Sequence, residues 1–194
     1  MAKYYAVKVG LNPGVYNTWE ECQKNVIGFE GAIYKSFSSL DEANAFIKDE
    51  ELPLEINGPQ AYVDGSYNVA TGEYSFGAVL LIDGQIYQFK RKFGPDEYSE
   101  SRNVAGEIRG ASFIINYAYK QGIKELHLYY DYQGIEKFFT GEWNANKHLS
   151  KLYQEYANDI KGKIKVYFHK VKSHSNNKYN DMVDILAKEA LGIA

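Results

Sequence analysis

The order of hydrophobic periodicities along the chain predicts an α/β protein, a mixed five-stranded sheet with flanking helices, preceded by a small α+β unit. Three observations predict it. Alternating apolar stretches are interleaved with stretches of helical spacing. An acidic tract with two prolines and neither period separates residues 1–48 from residues 61–194. Acidic residues also stand where an α/β reading ends a strand or begins a helix.

The small unit opens with KYYAVKV, residues 3–9, which alternates like a strand, and GLNPGVYNT carries the Pro-Gly punctuation of a turn. Thr18 followed three residues later by Glu21 reads as a capping box, and the helix it opens places Trp19, Cys22 and Val26 on one face. GAIYKSF is strand-like. Ser39 with Glu42 then opens a second helix with Leu40, Ala43 and Ile47 in a stripe. The tract KDEELPLEINGPQ reads as a linker over residues 49–60.

The larger unit begins with AYVDGSYN, a strand that breaks at Asp64-Gly65, followed by FGAVLLI and QIYQFKRKF, three strands in a meander. Val104 to Lys120 carries Ile108, Ala111, Ile115 and Ala118 at helical spacing. ELHLYYD is a strand and GIEKFF begins one further helix before the fifth strand, IKVYFHKV. Residues 180–191 form a closing helix. The expected order is β, β, β, α, β, α, β, α.

Composition bounds the function. There are 22 Lys and Arg against 25 Asp and Glu, a net charge of −3, so a polyanionic partner must be met by local patches. The single cysteine, Cys22, excludes an internal disulfide framework and fits a reducing compartment. No continuous apolar run has the form of a signal peptide or approaches the roughly 20 residues of a membrane span. A soluble, cytoplasmic chain without a membrane partner is expected.

Asp64 follows AYV and Asp131 follows LHLYY, so both are expected at the carboxyl ends of neighbouring parallel strands, where open α/β sheets place their sites. Glu107 falls in a first helical turn and Asp184 near the start of the last helix. Convergent carboxylates suit hard cations such as Mg²⁺, which take oxygen ligands and keep waters and substrate phosphates in the shell. Three or four acids suit a phosphodiesterase with two ions about 3.5–4 Å apart. Any one of them alone has a blander explanation, since an acid in a first helical turn complements the helix dipole.

Residues 61–194 resemble ribonuclease H of type 1. YVDGS, NVAGE, YYDYQ and VKSH followed by ten residues to Asp184 stand in that family's order. The resemblance implies a ribonuclease H-like sheet with flanking helices and metal-binding carboxylates at Asp64, Glu107, Asp131 and Asp184. It assigns His174 to proton transfer and product departure, and implies two Mg²⁺ ions per site with Mn²⁺ as substitute. Asp181, three residues before Asp184, matches a position that does not bind metal. His127, His148 and His169 have no partner spacing for a zinc site and read as strand or surface residues.

The implied reaction is endonucleolytic hydrolysis of the RNA strand of RNA/DNA hybrids, leaving 5′-phosphate and 3′-hydroxyl ends. Asn103 and Gln133 match positions that touch the RNA strand in the minor groove, where an amide meets base edges and 2′-hydroxyls; the alternatives are a helix cap for Asn103 and a solvated turn for Gln133. The backbone around Gly65 and Ser66 is also placed to approach RNA. The chain departs from the family at Arg102, where many relatives have a phosphate-gripping threonine, at Glu100 and at Tyr132. FFTGEWNANKHLSKLYQEY is shorter and less basic than the protrusion some bacterial relatives use to hold the hybrid.

Residues 3–48 resemble the hybrid-binding, caulimovirus viroplasmin-like domain, through YYAVKVG, PGVY, TWEEC, GAIYKSF and DEANAF. That likeness implies hybrid contacts at Tyr5, Trp19, Tyr34 and Lys35, the aromatics packing on sugars or bases and the lysine meeting phosphate. Trp19 has a competing place in the core stripe with Cys22 and Val26. Ser36 stands where relatives often have a second lysine, and residues 1–48 hold five lysines against five acids, so weak, salt-sensitive binding is expected. A monomer with no obligate protein partner is expected. Two rivals stand beside this reading: a 3′-to-5′ exonuclease or transposase-like nuclease on the same fold, and a non-catalytic hybrid-binding protein.

Overall fold

A computed structural model describes residues 3–29, 31–48, 58–171 and 177–193. The described residues divide into two compact units, the first of residues 3–48 with Asn177 and the second of residues 58–171 with 178–193.

In the first unit, β1 (Tyr4–Val9) lies between β2 (Gly14–Tyr16) and β3 (Ile33–Phe37), both antiparallel to it. The strand β2 lies within the segment read as a turn: three residues are too short to display alternation, and their pairing with β1 defines them as a strand. Helix α1 (Trp19–Val26) starts where the Thr18 hydroxyl accepts from the Glu21 amide, and it buries Cys22 and Val26 against Val7. Trp19 is 37% exposed. At the first position of α1 it is a turn removed from Cys22 and escapes the core its stripe suggested. Helix α2 (Leu40–Lys48) buries Ala43 and Ala45 and leaves Leu40 exposed, so the expected stripe is displaced. The Ser39 hydroxyl accepts from the Asp41 amide, while Glu42 is reached by Ser38.

The second unit carries a mixed sheet in the order β6 (Gln85–Phe93), β5 (Tyr74–Ile82), β4 (Gln60–Tyr67), β7 (Glu125–Tyr130), β8 (Lys165–Lys170). The first three strands form the antiparallel meander, and β7 and β8 join in parallel. Strand β4 runs unbroken through Asp64 and Gly65, which pair with Gly77 and Phe76. The Asp-Gly pair that reads as a turn is held extended by β5 on one side. Its partnership with β7 on the other side ends at Tyr62 and Tyr129.

Helix α3 (Asn103–Lys120), α4 (Gly134–Thr140) and α5 (His148–Ile160) bury one face of the sheet in a core that includes Ala61, Val63, Phe76, Leu126, Leu128, Ile114 and Tyr153. Two helices, where one was expected, lie between β7 and β8. Gly141, with φ of 89°, ends α4, and the segment through Trp143 and Asn146 turns the chain before α5. Helix α6 (Lys178–Leu191) closes the other face over Tyr62, Val79 and Tyr129 through Val183 and Leu186.

Helix and sheet meet backbone to backbone at three glycines. A Cβ on Gly106 of α3 would lie 1.8 Å from the Ser75 carbonyl oxygen, and one on Gly65 of β4 would lie 2.2 Å from the Asn103 carbonyl oxygen. On the opposite face a Cβ on Gly77 would lie 2.1 Å from the Val183 carbonyl oxygen, beside the buried Ser75 hydroxyl that donates to Ala187 at 2.6 Å. A methyl group at such a place must drive the helix off the sheet. Gly106→Ala should therefore destabilise the larger unit by about 3 kcal/mol or more in urea unfolding followed through Trp143. Gly122→Ala, at a left-handed residue with open space around it, should cost only about 1 kcal/mol. Equal losses would remove close approach as the cause.

Candidate metal centre and nucleic-acid interface

The acids meet where the pairing of β4 with β7 ends. Tyr62 is the last β4 residue opposite β7, at Tyr129, and two further residues along each strand bring Asp64 and Asp131 level with one another. Glu107 arrives from the first turns of α3, whose approach is set by Gly65 and Gly106. Asp64, Glu107 and Asp131 each offer a carboxylate oxygen within 4.8 Å of the other two.

Burial decides the electrostatics. Glu107 is 2% exposed, and its pKa is raised well above the usual carboxylate value, first by desolvation, then by the charge and hydrogen bond of Asp131 and the charge of Asp64. Asp64 is pushed up to about 7, chiefly by burial and then by Asp131, with a smaller contribution from Asp184. The Gly65 amide, 2.7 Å from Asp64 Oδ1, and the Lys188 ammonium oppose that rise. One oxygen of Glu107, Oε2, is buried without a hydrogen-bond partner among the described residues. An anionic oxygen in that state needs a cation or a proton. The donor set, all carboxylate oxygen, fits a hard divalent ion.

Asp184 stands outside the tight group. It is half-buried on α6 and ion-paired to Lys188, one turn on, at 2.7 Å. Sequence reasoning passed over Lys188; the (i, i+4) spacing from Asp184 is the signal that marks it. Asp181 is exposed on the same helix. His174 lies outside the described residues.

The nucleic-acid candidates divide. Asn103 is exposed, and its amide donates to Glu107 Oε1 at 3.2 Å, so it begins α3 tied to an acid of the site. The helix cap is Arg102, which has no capping side-chain bond and a backbone in the strained φ 51° region. Arg102 lines a cleft of about 430 Å³ that runs from Asn103 and Tyr132 past Asn144 and Asn146 to Lys147. Gln133 is exposed at the start of α4. Gly65 and Ser66 are half-buried, and the missing side chain of Gly65 serves the approach of α3.

In the first unit Tyr5, Trp19 and Tyr34 form a row with ring centroids 5.8 Å apart at each step. Lys35 is opposite Ala6 while Tyr34 is opposite Val7, so alternation sends Lys35 to the other face, where its ammonium lies 5.5 Å from the Phe37 ring. The aromatic candidates are brought together and the lysine is not.

Comparison with known proteins places these features in context. Residues 3–47 match the family model of the ribonuclease H1 N-terminal domain and residues 58–192 that of RNase H. The chain is 50% identical over 44 residues to ribonuclease H of Crithidia fasciculata and, over a stretch of the same length, to that of Saccharomyces cerevisiae; each match covers 23% of this chain, but only 9% and 13% of the relatives' lengths. Ribonuclease H of Prosthecochloris aestuarii is 24% identical over 148 residues, covering 67% of this chain and 92% of that protein. The crystal structure of RNase H1 from the archaeon Halobacterium salinarum superposes with a TM-score of 0.58 at 25% identity, over 70% of this chain and 98% of that one. LC11-RNase H1, solved with an RNA/DNA hybrid, has the same fold with a TM-score of 0.55 at 16% identity, over 69% and 99% of the two chains.

The raised Asp64 pKa predicts a pH dependence. Its folded value of about 7 lies above the ordinary 3.8, so in EDTA its contribution to stability is complete below about pH 4 and is lost as pH rises through 7. Asp64→Asn should then raise the melting temperature at pH 8, by the equivalent of about 1–2 kcal/mol, and leave it unchanged near pH 4. Equal stability of parent and variant at pH 8 in EDTA would contradict the assignment.

Proposed function

Because the chain belongs to the ribonuclease H family, we propose that it hydrolyses the RNA strand of RNA/DNA hybrids endonucleolytically by a two-metal-ion mechanism, leaving 5′-phosphate and 3′-hydroxyl ends. The observation that carries the reading is the convergence of Asp64, Glu107 and Asp131 within 4.8 Å, around a buried carboxylate oxygen of Glu107 that has no hydrogen-bond partner among the described residues. The hybrid bound to LC11-RNase H1, a protein of the same fold, supports the choice of substrate.

Asp64, Glu107, Asp131 and Asp184 are assigned as holders of two Mg²⁺ ions, with Mn²⁺ as a substitute. Such ions, when bound, supply activation of the attacking water and neutralisation of charge at the leaving oxygen. The chain's own work is positioning. Asp64 comes from the strand side and Glu107 from the helix side, so two rigid elements fix the carboxylates without relying on a loop. The Gly65 amide orients Asp64, and the Asn103 amide orients Glu107. Asn103 thereby keeps its side-chain oxygen as an acceptor for a 2′-hydroxyl, the group that separates RNA from DNA. Arg102 and Lys147, in a cleft lined by amides next to this site, are assigned to backbone phosphate. His174 is assigned to proton transfer and product departure on the resemblance alone.

The first unit, spanning residues 1–48 and joined by residues 49–60, is assigned as a tethered hybrid binder that stacks Tyr5, Trp19 and Tyr34 on sugars or bases. Lys35, on the opposite face, contributes charge to the unit and no part of the row.

Cleavage of end-labelled RNA/DNA hybrid, duplex RNA, duplex DNA and single strands with Mg²⁺, Mn²⁺ or EDTA tests the activity. Cleavage confined to the RNA of the hybrid and abolished by EDTA is expected. Asp131→Asn should abolish it with the circular dichroism spectrum unchanged, and Asp184→Asn should be far more damaging than Asp181→Asn. Full turnover in a folded Asp131→Asn variant would overturn the metal assignment. Removing residues 1–50 should leave cutting intact but weaken hybrid binding, most visibly on long substrates at moderate salt. Trp19→Ala in the full chain should reproduce much of that loss; unchanged affinity in both would assign the unit to another partner.

A further inference from the structure

The loop between β6 and α3 leads to Arg102, and a cluster outside the carboxylate site fastens that loop. At its centre is buried Tyr74, at the start of β5. The Tyr74 hydroxyl donates to Asp96 Oδ2 at 3.0 Å and accepts from Arg109 Nε at 2.8 Å. Asp96 Oδ1 accepts from the Tyr98 amide at 2.9 Å, so one carboxylate holds both the strand and the loop's own turn. A run of short bonds continues to Arg102: the Ser99 hydroxyl accepts from the Asp96 amide, the Asp96 carbonyl from the Ser99 amide, and the Ser99 carbonyl from the Arg102 amide. The Arg109 guanidinium completes the cluster. It lies 3.8 Å from the Asp96 carboxylate and over the rings of Phe93 at 4.6 Å and Tyr98 at 5.0 Å. The loop's other flank meets the start of α5, where the Tyr98 ring lies 5.5 Å from that of His148 and Glu97 lies 3.4 Å from His148 Nδ1. His148 follows Lys147, the second cation of the cleft.

We infer that Tyr74, Asp96 and Arg109 are positioning residues for hybrid binding: they hold Arg102 at a set distance from the carboxylates, so that a backbone phosphate and the metal centre are engaged together. The inference rests on the assignment of Arg102 to phosphate. Helix α3 sets the distance. Glu107 faces the acids, and Arg109, two residues and about 200° further round, faces the loop, so one rigid element carries both the site and the fastening of the loop. Arg102 does not hold its own place. Its backbone, at φ 51° and ψ −132°, lies outside the ordinary regions for a residue with a side chain, and that side chain makes no capping bond, so the conformation is imposed by the bonds on either side. The phenol suits the centre of the cluster. Burial first, and then Asp96 against the opposing charge of Arg109, pushes its pKa up to about 12, so it stays protonated and donates. Sequence spacing conceals the cluster, because 22 and 35 residues separate Tyr74 from its two partners.

The test compares the parent with Asp96→Ala, Tyr74→Phe and Arg102→Ala, all as full chains cutting an RNA/DNA hybrid in Mg²⁺ over about 50–200 mM salt. Asp96→Ala and Tyr74→Phe should raise KM about threefold or more with kcat within about twofold of the parent. Each should lower the slope of log KM against log salt by about one, the loss expected of Arg102→Ala itself. Combining Asp96→Ala with Arg102→Ala should lower the slope no further. A merely structural role would lower the melting temperature and leave the salt slope alone. Hydrogen exchange reads the fastening without catalysis: the Ser99, Ser101 and Arg102 amides should exchange faster in Asp96→Ala, while those of α3 from Ile108 onward keep parent rates. A parent that cuts no hybrid overturns the proposed function and this inference with it. In a parent that cuts, the inference alone is overturned by parent KM and slope in Asp96→Ala and Tyr74→Phe, by a parent slope in Arg102→Ala, by additive loss in the double variant, or by unchanged loop exchange.

Discussion

The candidate site depends on how closely α3 can approach the sheet. Glu107 can stand beside Asp64 only because the helix backbone rests on the strand backbone, with no Cβ at Gly65 or Gly106 to hold them apart. Helix and sheet then fall into register at three glycines: Gly65 against Asn103 and Glu107, Gly106 against Ser75, and Gly110 against Val63 and Phe76. The same device works on the other face, where Gly77 admits α6 and the Ser75 hydroxyl fastens it to Ala187. One short stretch of β5 thus seats two helices from opposite sides, which brings Asp184 into the neighbourhood of Asp64.

That packing carries an electrostatic cost. Burying two carboxylates near a third raises the pKa of Asp64 and Glu107, because the charged form of each loses hydration and meets like charge. The hydrogen bonds from Gly65 to Asp64 and from Asn103 to Glu107 orient the acids, and Glu107 Oε2 has no hydrogen-bond partner among the described residues. A divalent cation answers both needs at once, since it satisfies the oxygen and removes the like-charge repulsion. The strained backbone of Arg102, at the entry to α3, is of the same kind: a local conformational cost beside a site, held in place by the elements around it.

The two units divide the chemistry by type of contact. The larger one presents carboxylates and amides, groups suited to ions, hydroxyls and base edges. The smaller one presents a row of three aromatic rings, two from its three-stranded sheet and one from α1. Stacking needs exposed ring area, and the position of Trp19 at the first residue of α1 provides it while Cys22 and Val26, further along the helix, fill the core. Neither unit requires bulk positive charge, which fits a chain whose net charge is −3.

Sequence alone determined most of the elements and singled out the acids, three of which converge. The meander, the helix over Glu107, the parallel strand before Asp131 and the final helix are all legible because amphipathic period is a local property of side chains. The carboxylates were legible because their motif spacings are local too. What the tertiary structure decided is non-local. Strand β2 exists because β1 pairs with it, and β4 continues through Asp64-Gly65 because β5 holds it extended. Lys35 and the aromatic row lie on opposite faces because register assigns them so. The tight group of three acids with Asp184 beside it, and the meeting of Tyr74 with Asp96 and Arg109, follow from which elements are neighbours and how near two backbones can come. Those quantities are set by contacts between segments far apart in the chain, and no window of sequence contains both partners.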